Sequence, residues 1–80
     1  MADGPAAGLE LIDEIAAGGE LRDYHLMWSA RADLLRRLGR WSEAAESYRA
    51  ALSRVGSAPE RRFIRRRLEE MSAKMKRSSS

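Results

Sequence analysis

The sequence predicts an all-α fold, an antiparallel helical-hairpin repeat of about four helices over residues 5–17, 23–38, 41–55 and 58–75. Three observations carry that prediction. Ala, Leu, Arg and Glu dominate the composition, while glycine and proline are largely confined to the junctions. Apolar residues recur at helical spacing in four separate segments. Gly4 and Gly39 each stand just before a predicted helix and lie 35 positions apart, as a repeating unit requires.

The first helix opens at Asp3 and Pro5 and closes at Gly18-Gly19. Leu9, Ile12 and Ala16 share one face, with Leu11 and Ile15 beside them. Glu20-Leu21-Arg22-Asp23 reads as a connector, since paired glycines end helices. The second helix places Tyr24, Trp28, Leu35 and Leu38 near one stripe, with Ala32 on its flank and Gly39 as its C-terminal cap. In the third, Ala44, Ala45, Tyr48, Ala51, Leu52 and Val55 follow helical spacing; Glu43, Glu46, Arg49 and Arg54 form the polar face. Ser57-Ala58-Pro59-Glu60 fits a capping box. The fourth helix then carries Ile64, Leu68, Met71 and Met75 on its apolar stripe, with Phe63 alongside and expected to face the core. Residues 1–75 read as one domain, and residues 76–80, with nothing to bury, as a disordered tail.

The central stretch WSARADLLRRLGRWSEAAESYRAAL resembles one tetratricopeptide (TPR) unit. Trp28, Ala32, Leu35, Gly39, Trp41, Ala44, Tyr48 and Ala51 fall on the signature positions of that family. Small residues at 32 and 44 allow two antiparallel helices to approach closely, and Trp28, Leu35 and Tyr48 fill the space between layers. Trp41 is expected in the core from its signature position. Arg31 departs from the pattern, replacing a usual apolar residue, and Gly56 stands where the family favours proline. The first helix then reads as the second half of a degenerate preceding repeat, and the fourth as the start of a third or the cap of the stack.

Chain length and composition bound the function. Eighty residues support one small domain burying about 60% of the surface its unfolded chain exposes. The absence of cysteine excludes a disulfide scaffold and thiolate metal sites, and fits a cytoplasmic protein. No apolar run reaches the roughly 18 residues that span a bilayer, so no membrane partner is expected. The net charge of +3 conceals a split: residues 1–48 hold five bases and nine acids, residues 49–80 ten bases and three acids. The basic C-terminal part suits an acidic protein face or nucleic acid, or is the solvated side of a helix.

No arrangement suited to catalysis or cofactor binding is present. His25 is the single histidine and reads as a packing or hydrogen-bonding residue. Asp13 and Glu14 are adjacent and point to different sides of a helix. Ser29, Ser42 and Ser47 lack a neighbouring base, and Gly18-Gly19 matches no phosphate-binding loop. The sequence therefore predicts no enzyme, no cofactor and no metal.

Partner-binding candidates are cationic. Arg61, Arg62, Arg65, Arg66 and Arg67 lie opposite the apolar stripe of the fourth helix, with Arg61 above Arg65 and Arg62 above Arg66. They suit carboxylates or phosphates, or pair with Glu60, Glu69 and Glu70 on a solvated face. Arg31, Arg36, Arg37 and Arg40 lie around the exit of the second helix and suit its C-terminal end electrostatically. By analogy with the concave surface of TPR proteins, Arg31, Asp33 and Arg37 are further candidates.

The flanks carry a more specific resemblance, over residues 2–71. DGPAAGL, YHL, ARADLLRRLGR and ERRFIRRRL resemble the C-terminal helical extension of a group of bacterial ECF-type RNA polymerase sigma factors. The resemblance implies a fragment of a longer sigma factor, because nothing here resembles the helices that read promoter elements. It implies a non-catalytic interaction module in transcription initiation, whose partners are the sigma core or RNA polymerase. DNA is then met through the rest of the sigma factor. The alternatives are a stand-alone structural domain that forms a homodimer and, less favoured, a helical domain contacting the DNA backbone directly.

Overall fold

The structure is a computed structural model and describes residues 4–19 and 23–79. The expected opening at Asp3 and the connector residues Glu20 to Arg22 lie outside the described residues. Four helices follow one another: α1 Pro5–Ala17, α2 His25–Arg37, α3 Trp41–Arg54 and α4 Ala58–Ser79. All four segments read from sequence are helical, with ends that coincide or shift by at most four residues.

The junctions show why the helices stop where they do. Gly39 adopts φ +76, a backbone conformation that a side chain resists. Its N–H donates to the Arg36 carbonyl at 3.0 Å, and the Arg40 N–H donates to the Leu35 carbonyl at 2.9 Å. These two bonds form a Schellman motif and satisfy carbonyls that the end of α2 leaves open. Gly19, at φ +83, repeats half of it after α1, its N–H reaching the Ala16 carbonyl at 3.1 Å. The structural equivalence is therefore between Gly19 and Gly39. Gly4 precedes its helix with φ −116 and serves a different purpose, capping α1 ahead of Pro5.

Two sequence expectations about α4 are corrected. Glu60 does not reach back to its own helix start; its carboxylate sits 2.5 Å from His25 Nε2 on α2. The His25 imidazole lies across the helices there, whereas the helix start already places the Arg61 N–H on the Ser57 carbonyl at 3.0 Å. The helix also continues to Ser79 through the stretch expected as a tail. Half-buried Met75 anchors that stretch, and Lys76 and Arg77 place positive charge at the negative end of the helix dipole.

Each helix packs on its neighbours in sequence, most extensively α2 on α3, then α3 on α4, then α1 on α2. The result measures 38 × 37 × 17 Å, a slab rather than a closed bundle. Ala32, Leu35, Ala44 and Ala51 have no exposed surface, and Tyr48, Ala45, Ile64 and Met71 are buried around them. Alanines at the α2–α3 contact bring the helix axes close enough for Leu35 and Tyr48 to fill the gap. Burying one Leu of this kind contributes about 1.5–3 kcal/mol. Where α1 meets α2, a Cβ on Gly8 would lie 3.3 Å from the Leu34 side chain, so the absent side chain sets that approach. Trp28 and Trp41 are half-buried at the edge of the core, each with a cation over its ring: Arg54 at 5.1 Å and Lys74 at 5.4 Å. The core position expected for Trp41 is thus met in part.

Two aromatic placements differ from expectation. Tyr24 precedes α2 in extended backbone and is half exposed, and Met27 takes the buried position instead. Phe63 is 55% exposed. It stands one residue before Ile64, about 100° around the helix from the stripe that Ile64, Leu68 and Met71 bury.

Candidate functional site: two clefts flanking one helix

Helix α2 has a cleft on each of two sides. The first, of about 490 Å³, lies where α1 and α3 flank α2 and is lined by Asp13, Ala16, Trp28, Arg31, Glu46 and Ser47. Arg31 organises it. Its Nε donates to Asp13 Oδ1 on α1 at 2.8 Å, and its Nη1 donates to Ser47 Oγ on α3 at 2.6 Å. One guanidinium therefore ties three helices together, which explains an arginine at a position where the TPR pattern is usually apolar. Ser47 is buried, and this bond satisfies a hydroxyl that would otherwise be costly to enclose.

The second cleft, of about 410 Å³, opens between the N-terminal halves of α2 and α4. Tyr24, Leu26, Ser29, Phe63 and Ile64 give it a mostly apolar lining, and His25 and Glu60 span it. Their contact is one of proximity rather than aligned hydrogen bonding. Pro59, Arg62, Phe63 and Arg66 form an adjoining notch of about 240 Å³ on the other side of the Phe63 ring. Arg67 lies over that ring at 5.2 Å while donating to Glu70 at 2.9 Å.

The arginine block of α4 is thus not one surface. Arg61 turns inward to the negative end of α3, 3.5 Å from the Leu52 carbonyl and 3.4 Å from that of Val55. Arg67 is held by Glu70 and Phe63. Arg62, Arg65 and Arg66 are exposed and have no partner among the described residues. The second candidate set also divides. Arg31 belongs to the first cleft, whereas Asp33 binds Arg36 at 2.5 Å and Arg37 at 3.1 Å on a different side of α2. The structure does not bring Arg31 together with Asp33 and Arg37.

Arg36 also neighbours the Tyr48 phenol. Hydrogen bonding to Asp33 chiefly raises the Arg36 pKa above its ordinary value, with burial opposing it. Burial raises the Tyr48 pKa above 10.0 and outweighs the lowering effect of Arg36, so the phenol stays neutral around pH 7. Among the described residues no three His, Asp or Glu side chains gather as a metal site requires, and no helix is long and apolar enough to cross a membrane.

Comparison with protein-family models, curated proteins and solved structures finds no match. The residues themselves carry the functional argument. The cationic candidates were visible in sequence, but the apolar cleft beside them was not. Tyr24 precedes α2 in extended backbone, and Leu26 and Phe63 lie off the buried stripes of their helices, so all three are exposed.

Proposed function

We propose that this chain is a non-catalytic interaction module, a TPR-like helical extension of an ECF-type sigma factor that docks on the sigma core or on RNA polymerase. The observation that carries the reading is the placement of Arg62 and Arg66, exposed and unpartnered among the described residues in a notch that shares Phe63 with the apolar cleft, with exposed Arg65 next to them in sequence. Cations beside exposed apolar surface suit an acidic protein face better than bare phosphate. The TPR signature positions, the open stacking of successive helices and the phrases DGPAAGL and ERRFIRRRL favour the same reading. Contact with DNA comes through the remainder of the sigma factor.

Isothermal titration of the 80-residue chain into RNA polymerase, and into the promoter-binding regions of an ECF sigma factor of the resembling group, tests it. Binding to either that weakens when Arg62, Arg65 and Arg66 are replaced by alanine is the expected result. Absence of binding to both removes the proposal.

A further inference from the structure

The chain carries two exposed surfaces that complement one another. On α1, Leu11 is 58% and Ile15 39% exposed, one helical turn apart, facing away from the core. Glu10 and Glu14, also one turn apart, flank them and have no partner among the described residues. The acid on this helix that is engaged, Asp13, is held by Arg31 on another side. This is an acidic stripe with two apolar knobs. On α2 and α4, the cleft of Tyr24, Leu26 and Phe63 adjoins, across Phe63, the notch lined by unpartnered Arg62 and Arg66, again one turn apart. This is an apolar recess with two cations on one flank.

We infer that α1 of one chain docks on the α2–α4 cleft of a second copy, Leu11 and Ile15 entering the recess and Glu10 and Glu14 meeting Arg62 and Arg66. Charge complementarity selects a second copy as the occupant. The two surfaces match in sign, in the four-residue spacing of the charges and in the pairing of apolar knobs with an apolar recess. Because the surfaces differ, each copy offers one of each, and the joint either closes reciprocally in a two-fold dimer or repeats head-to-tail. Helix α1 is about 20 Å long, so one face of it buries less than a standard interface, and the association is weak and salt-sensitive. This inference does not depend on the sigma-factor reading: it concerns the chain alone, and its test uses no polymerase.

Sedimentation velocity of the full chain from about 10 µM to about 1 mM, a range suited to a small interface, provides the measurement. The mean mass rises with concentration at low salt and falls back at high salt. Arg62→Glu with Arg66→Glu closes the cleft to an acidic stripe, and Leu11→Gln with Ile15→Gln removes the knobs. All four positions lie on the surface, and retained helical circular dichroism checks each fold. Each variant alone stays monomeric at concentrations where the unaltered chain associates. An equimolar mixture forms a species of two chains and nothing larger, because only one joint can be made. A monomeric unaltered chain overturns the inference. So does either variant associating as the unaltered chain does, or a mixture that stays monomeric.

Discussion

The α2–α3 interface and the α2–α4 cleft involve the same helix and both present apolar side chains, yet one is sealed and the other open. In the interface, Ala32, Ala44 and Ala51 are small enough to bring the helices together around Leu35 and Tyr48. In the cleft, Tyr24, Leu26 and Phe63 are large and their rings or branches stand outside the line of closest approach. Size at the contact line, rather than total hydrophobicity, decides which pair of helices closes. The difference separates residues that make the fold from residues left for something else.

The contrast can be broken most forcefully from the closed side. Leu35→Ala leaves a cavity amid fully buried neighbours and is expected to cost about 2–5 kcal/mol, read from chemical denaturation. A loss below about 1 kcal/mol would mean the interface is not tightly packed. A smaller effect belongs to the turn that sets the interface. Gly39→Ala forces a side chain into the left-handed region and is expected to cost about 1–2 kcal/mol in the same assay. The smallest effect belongs to the open side: Phe63→Ala is expected to change stability by no more than about 0.5 kcal/mol, since the ring is exposed. A larger loss would place Phe63 in the core after all.

Much of the fold was legible in the sequence for local reasons. Helix existence follows from periodicity, and the stop at Gly39 follows from the conformation only glycine adopts without strain. Ala32, Ala44 and Ala51 are fully buried where α2 and α3 pack most extensively. Phe63 was misplaced because a residue one position from an apolar stripe can lie on either side of its edge. Glu60 was misassigned because a local capping partner and a distant His25 compete, and sequence shows only the local one. The Arg31–Asp13–Ser47 link was likewise out of reach, since its members lie 18 and 16 residues from the arginine. Among the candidate cations, residue type was legible and availability was not. Whether an arginine is spent on a neighbour, as Arg61 and Arg67 are, depends on tertiary distance.

Helix α2 is the common wall of both clefts, presenting Trp28 and Arg31 to one and His25, Leu26 and Ser29 to the other. A wall shared by two rooms cannot move for one alone. Any displacement of α2 alters the Arg31 links to α1 and α3 and the outline of the apolar recess together. In a slab only 17 Å thick, no second helix layer stands between the two sides to absorb that motion.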